Sequence, residues 1–307
     1  MASLRDIRTR IASVKNTQQV TRAMKMVAAA KLRRAQERTF ATRPYAFKLR
    51  EIINEVRTKV HPDLHDLFDK REEINRVLLV VVTGDRGLAG AFNANVIKEA
   101  EATIAKQFAE YQASGNLDLI CVGRKGHEHF KKRNYNVIGD NRGVFNDLTF
   151  DRVVDIVDQI IHGFRTRRWD RVVVVYNEFR NTISQNRIVE PFLPIPADEF
   201  LTPVMESSED YVGSTPTSNE VDFIFEPSPE EILEQLLPRY VHYQMWRVFL
   251  ESNASEQGAR MVAMDNATTN AGELLRSLNL SYNQARQAAI TTEILEIASG
   301  AEALASQ

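Results

Sequence analysis

The segment Gly84-Asp-Arg-Gly-Leu-Ala-Gly90 is the part of this 307-residue chain best suited by composition to hold a ligand. It follows the β-branched run Val77-Leu-Leu-Val-Val-Val82 and precedes an amphipathic stretch from Asn93 to Tyr111, an order of strand, turn and helix. In that setting glycines let backbone N–H groups approach an anion at a helix start, the basis of phosphate binding. The spacing does not fit. Dinucleotide folds use Gly-x-Gly-x-x-Gly and phosphate loops end in Gly-Lys-Ser/Thr, whereas these glycines recur every third residue and no lysine follows. A tight structural turn that exposes Arg86 is the expected role, with no bound cofactor.

The other reactive side chains form no constellation. His61, His65, His127, His129, His162 and His242 are scattered, and none pairs with a carboxylate at a metal-ligand spacing. His127 and His129 flank Glu128, which on a helix points them to different faces, so no metal site is expected. Cys121, the single cysteine, sits in an apolar strand-like run, cannot form an intrachain disulfide and fits a reducing compartment. No Gly-x-Ser-x-Gly elbow supplies a serine nucleophile. Lys31, Arg33, Arg34 and Arg38 cluster over two helical turns as a nucleic-acid grip would, but no aromatic residues interleave them. By these features alone the chain is a nucleotide-binding α/β enzyme, a nucleic-acid-binding helical protein or a protein acting through other chains.

The elements that would carry these residues have three parts. From Ala2 to about Val60 there is no glycine and one proline, Pro44, which predicts a single long helix. About 58 helical residues would extend roughly 85 Å, so the helix needs another to lie against. Leu4, Ile7, Ile11 and Val14 set a heptad seam that continues through Gln18, Thr21 and Lys25 to Ala28 and Leu32, apolar at its start and polar in its middle. Residues 75–226 alternate strands (Val77–Val82, Leu117–Val122, Tyr135–Ile138, Arg171–Tyr176) with helices (Asn93–Tyr111, Lys125–Arg133, Asp151–Phe164). That pattern predicts a Rossmann-like, open, mostly parallel α/β sheet. Ile183–Ile195 reads as an added extended segment, residues 197–222 as an acidic surface loop and Val221–Phe225 as a closing strand. From 228 to 307 helix formers return, opened by Ser228 as a cap before Pro229 and Glu231. Leu274, Leu278, Ala285, Ala289, Ile290, Ile294, Ile297 and Ala301 form its expected apolar stripe.

The fold expected is therefore α/β: a long antiparallel coiled coil of the terminal helices (1–60 and 228–307) with a central domain at 75–226. Charge supports the pairing. The net charge of −2 conceals +11 in residues 1–60, fifteen Lys/Arg against four Asp/Glu, while residues 230–307 hold ten acidic and five basic side chains. With 43% hydrophobic and 26% charged residues the composition is globular, and no run of about 18 apolar residues is present to span a bilayer, so membrane association goes through partners. The Arg-rich start has a presequence-like composition, but its helical pattern runs unbroken past Lys31.

The segment Ser13-Val-Lys-Asn-Thr-Gln-Gln-Val-Thr-Arg-Ala-Met-Lys-Met-Val-Ala-Ala-Ala-Lys-Leu-Arg-Arg-Ala-Gln36 closely resembles the amino-terminal signature of ATP synthase gamma subunits. Ala254-Ser-Glu-Gln-Gly-Ala-Arg-Met-Val-Ala-Met-Asp-Asn-Ala-Thr268 and Tyr282-Asn-Gln-Ala-Arg-Gln-Ala-Ala-Ile-Thr-Thr-Glu-Ile294 resemble its carboxy-terminal signature, and Asp85-Arg-Gly-Leu-Ala-Gly90 a turn of its central domain. The resemblance implies a non-catalytic rotor shaft that turns inside the hexamer of alpha and beta subunits. Its further partners would be an epsilon subunit and the proton-driven membrane c-ring, with no nucleic acid. By similarity Arg286, Gln287 and Thr291 hydrogen-bond a loop of beta, Met24 and Lys25 lie at the neck facing beta's acidic lever, and Arg86 approaches that same acidic region. Polar and small seam residues, Gln18, Thr21 and Ala28 to Ala30, would suit weak adhesion to the surrounding sleeve. The implied location is peripheral, on the cytoplasmic face of a bacterial inner membrane or its organellar equivalent. Ala89 stands where many members carry cysteine, and the regulatory dithiol of the chloroplast type is absent.

Overall fold

The computed structural model describes residues 3–59, 65–69, 71–196, 202–206 and 226–305. In chain order the elements are helix α1 (Leu4–Lys59), strand β1 (Val77–Val82), helices α2 (Phe92–Gln107) and α3 (Ala109–Ala113), β2 (Leu117–Val122), α4 (Arg124–Lys132), β3 (Asn136–Val137), α5 (Phe150–Arg165), β4 (Arg171–Phe179), β5 (Gln185–Leu193), α6 (Pro203–Glu206) and α7 (Pro229–Ala305). The chain divides into two compact units, residues 28–260 and residues 1–27 with 261–307.

In the larger unit the sheet order is β3-β2-β1-β4-β5, parallel throughout except for β5, which pairs antiparallel with β4. Strand residues alternate between two cores, as the pleat requires. Leu78, Val80, Val82, Val172, Val174 and Tyr176 face α5 and the 233–250 stretch of α7, whereas Val77, Leu79, Val81, Val173 and Val175 face α2 and Phe130 of α4. Burial on both faces explains why these strands read as unbroken valine runs. The expected helix at 93–111 is interrupted at Phe108, which adopts φ −127° and seats its ring in the second core, so α3 is separate. The third strand is shorter than Tyr135–Ile138, with only Asn136 and Val137 on the ladder. Ser228 caps α7 as expected, its Oγ accepting the Glu231 N–H at 3.2 Å. The acidic stretch 197–222, apart from α6, and the expected strand 221–225 lie outside the described residues, as does His61.

In the smaller unit α1 opens with a reciprocal cap: the Ser3 Oγ accepts the Asp6 N–H, and the Ser3 N–H donates to the Asp6 carboxylate, both at 3.2 Å. Leu4, Ile7, Ile11, Val14, Gln18 and Thr21 are each less exposed than the residues beside them, and Lys25 is half-buried together with Met24, so the heptad register is as read. Thr21 meets Thr268, Gln18 reaches the Thr268 carbonyl and Lys25 meets Asp265, which makes the pair antiparallel. The stripe on α7 differs from the expected one. Its sheltered residues are Met264, Thr268, Ala271, Leu275, Leu278, Tyr282 and Ala285, while Leu274, Ala289, Ile290, Ile294, Ile297 and Ala301 are exposed. The register explains this: α1 begins opposite Ala285, so among the described residues α7 has no partner helix beyond that point. Gln18 and Thr21 bond across the coil to Thr268, so they do not serve as the outward-facing residues the resemblance implied.

Candidate subunit-contact surfaces

The crevice outside the carboxyl ends of the parallel strands is where a doubly wound sheet ordinarily receives a ligand. Here the chain fills it. The Asp85 carboxylate accepts the backbone N–H groups of Arg124 (2.9 Å), Gly143 (2.7 Å) and Phe145 (3.3 Å), the kind of donors a phosphate would need. Thr83 Oγ1 takes the Gly126 N–H at 2.8 Å, which occupies a further donor in the first turn of α4. From α7, the Glu256 carboxylate lies 2.8 to 3.0 Å from where a Cβ on Gly84 would stand, so any other residue there would push the carboxylate aside. Glu256 is paired with Arg260, whose Nη2 also donates to the Gly87 carbonyl at 3.4 Å. Burial pushes the Glu256 carboxyl above the usual carboxylate range, against the pull of Arg260. The glycine spacing thus serves a packed turn, and Arg86 is exposed at its apex, as expected.

The other candidates lie in the smaller unit. Met24 is half-buried, and Lys25 Nζ donates to Asp265 Oδ1 at 2.6 Å. Arg286, Gln287 and Thr291 are exposed on the unaccompanied end of α7. Gln287 and Thr291, four apart, share a face, and the Thr291 hydroxyl donates to the Gln287 carbonyl at 2.9 Å; Arg286 points about 100° away around the helix. Ile290, Ile294, Leu295 and Ile297 are exposed on the same segment. Residues 286–305 are 20 residues of single helix, about 30 Å long.

Sequence reading passed over two further groups. Asp265 and Thr268 are the cross-coil partners of Lys25 and Thr21, and their part shows only when the register of the two helices is known. In the larger unit, Arg247 forms a bidentate pair with Glu190 at 2.7 and 2.8 Å and donates to the Tyr176 hydroxyl at 3.0 Å, bolting α7 to β4 and β5. Burial alone would lower the Arg247 pKa, but Glu190 and Tyr176 outweigh it and push it well up. Among the described residues no group of three or more His, Cys, Asp or Glu side chains could hold a metal ion, and no helix is long and apolar enough to cross a membrane.

A family model described as ATP synthase matches residues 3–304. The ATP synthase gamma chain of Salinibacter ruber is 55% identical over 304 residues, 99% of either chain, and that of Chloroherpeton thalassium is 50% identical over 309 residues at the same coverage. The chain belongs to the ATP synthase gamma chain family. A chain of the Euglena gracilis mitochondrial ATP synthase, solved with OSCP, F1 and c-ring, shares the fold at a TM-score of 0.62 and 20% identity, covering 98% of this chain and 94% of that one. Family membership is consistent with a crevice filled by the chain's own groups, the named family being a non-catalytic subunit of the ATP synthase. It also directs attention to the outer surfaces: the turn at Arg86, the neck at Met24 and Lys25, and the free end of α7.

Proposed function

We propose that this chain is the central, non-catalytic shaft of a proton-translocating ATP synthase, turning within a hexamer of alpha and beta subunits and seated with an epsilon subunit on a membrane c-ring. The observation that carries this reading is the free end of α7. A helix of about 30 Å that leaves its partner with Ile290, Ile294, Leu295 and Ile297 uncovered is incomplete by itself, and a surrounding sleeve of other subunits completes it. On this reading Arg286, Gln287 and Thr291 hydrogen-bond a loop of beta, while Met24, Lys25 and Arg86 face beta's acidic lever. Lys25 would then share its charge between Asp265 and that lever.

The shaft works by selecting conformations. An off-axis coil touches each of three beta subunits differently, and only differential contact shifts a subunit between open and closed states. Moving such an equilibrium from 1:99 to 99:1 takes about 5.5 kcal/mol. Polar contacts worth roughly 1 to 3 kcal/mol where a charge is involved reach that figure in a small number. On this reading the protein works at the cytoplasmic face of a bacterial inner membrane, or its organellar equivalent, held there by the ring. Affinity purification of the tagged chain from its native membrane tests the proposal: alpha, beta, epsilon and ring subunits are expected alongside, and recovery of the chain without them overturns it.

A further inference from the structure

Two large apolar side chains in turns of the larger unit are well exposed, and both turns are held by the same stretch of α7. Leu88, 65% exposed, sits in the β1–α2 turn at φ 61°. The left-handed region costs a side-chain-bearing residue about 1 to 2 kcal/mol, so the fold spends stability to display this leucine. Ile183, 81% exposed, is at the tip of the β4–β5 hairpin. That tip is stiff, because the Asn181 Oδ1 accepts the N–H groups of Ile183 (2.9 Å) and Ser184 (2.7 Å), and the Asn181 N–H returns to the Ser184 carbonyl (3.1 Å).

Both turns pack against one turn of α7, from opposite sides. Arg260 grips the Gly87 carbonyl, and two residues earlier Gly258 lets the hairpin come so close that an added Cβ would lie 3.3 Å from the Phe179 ring and 3.6 Å from the Thr182 Cα. Beside the two apolar tips are Arg86 and Arg180, both exposed and neither with a guanidinium partner among the described residues. The nearby acids are already committed: Asp85 to three backbone N–H groups, Glu256 to Arg260 and Glu178 to Asn186.

We infer that the β1–α2 turn and the β4–β5 hairpin tip form one two-pronged seat for an acidic, amphipathic segment of a partner subunit. Arg86 and Arg180 take its carboxylates, and Leu88 and Ile183 take its apolar side chains. Two cations flanking two aliphatic tips suit a protein segment with both kinds of side chain; a nucleic acid would call for stacking surfaces and more charge. The inference rests on the reading that Arg86 faces an acidic region of beta, and it adds the hairpin as the second point of contact.

The test uses the assembled complex with Leu88→Cys or Ile183→Cys carrying a benzophenone photo-crosslinker. The native Cys121 is buried, with its thiol pushed up to about 12, so it stays unlabelled. Both sites are expected to capture the same subunit through one Asp/Glu-rich peptide, and Arg180→Glu should cut capture from position 183 several-fold while Arg180→Lys retains it. Capture of that peptide from position 88 alone, or yields from 183 indifferent to Arg180→Glu, overturns the two-pronged seat and leaves the reading of Arg86 standing. Failure at both positions overturns that reading as well.

Discussion

The hydroxyl pair at the centre of the coil makes a quantitative prediction. Thr21 Oγ1 and Thr268 Oγ1 are 2.8 Å apart, and Thr268 also donates to the Met264 carbonyl at 2.7 Å. A hydroxyl has one proton, so with that of Thr268 committed to its own helix, Thr21 is the donor across the interface. Replacing Thr268 with valine deletes the acceptor, but Thr21 can turn to the Gln18 carbonyl 3.1 Å away and is not orphaned. The cost is then one net hydrogen bond, about 1 kcal/mol, and Thr21→Val costs about the same because Thr268 keeps its Met264 bond. The double valine variant replaces both polar partners by apolar groups of the same shape and should fall within about 0.5 kcal/mol of the parent. Native-state hydrogen exchange of the amides around 18–25 and 264–271 in the purified chain reads these differences locally. If the double variant loses the sum of the two singles, about 2 kcal/mol, the hydroxyls are not a mutually satisfied pair and the donor assignment is wrong.

Three further outcomes are expected. Replacing Arg286 and Gln287 together with alanine removes two exposed polar groups without disturbing the coil, so the complex should assemble at normal stoichiometry with ATP turnover and proton pumping reduced tenfold or more; normal turnover would mean that bulk steric contact carries the torque. Burial raises the pKa of Asp170, but the N–H groups of Arg76 and Asn75 and the Arg71 guanidinium outweigh it and hold the carboxyl below its ordinary value. Its stabilisation is therefore present above the unfolded pKa of about 3.9 and lost as pH falls through the folded value, so Asp170→Asn should cost roughly 3 to 5 kcal/mol at pH 7 and the gap to the parent should narrow as the pH falls below about 4 in thermal melts; an unchanging gap would refute the linkage. A Cβ at Gly163 would stand 2.0 Å from the Trp169 ring, which is pinned by its Nε1–H to Asp118 at 2.7 Å, so Gly163→Ala should destabilise the chain by about 1 to 3 kcal/mol in denaturant titration, and an unchanged midpoint would show that the indole can move.

The strands and the start of α7 were legible because local chemistry decides them: valine runs buried on two faces, and a serine placed to cap. The break at Phe108 was not, since the residues around it keep helical propensity and the turn exists to seat a ring in a core assembled from distant strands. Leu274 and Leu275 are equally apolar, and which one faces inward depends on α1 through Thr21 and Gln18. Ile290, Ile294 and Ile297 have seam-like spacing, yet no pattern within α7 marks where its partner begins. Among candidate contacts, the exposure of Arg86 followed from the glycine spacing, whereas the role of Asp85 depended on N–H groups at 124, 143 and 145 that only the folded sheet brings together.

The polar middle of the seam connects these two problems. Leu4, Ile7, Ile11 and Val14 are interchangeable enough that the helices could slip by a heptad and still bury aliphatic surface, a displacement of about 10.5 Å. Such a slip would move Arg286, Gln287 and Thr291 by two turns relative to the start of α1, far beyond hydrogen-bonding reach of any fixed partner. Thr21 and Gln18 oppose it, because in the slipped register their bonds to Thr268 of α7 are lost and a sheltered hydroxyl without its partner costs about 1 to 3 kcal/mol. Lys25 with Asp265, more exposed at 40% and 53%, adds less but points the same way. A seam of leucine and isoleucine throughout would be stickier and less exact. On the proposed reading the polar residues in the coil therefore serve the candidate contacts at Arg286, Gln287 and Thr291, some 20 residues beyond Thr268, since they set the height at which the free end of α7 presents its side chains.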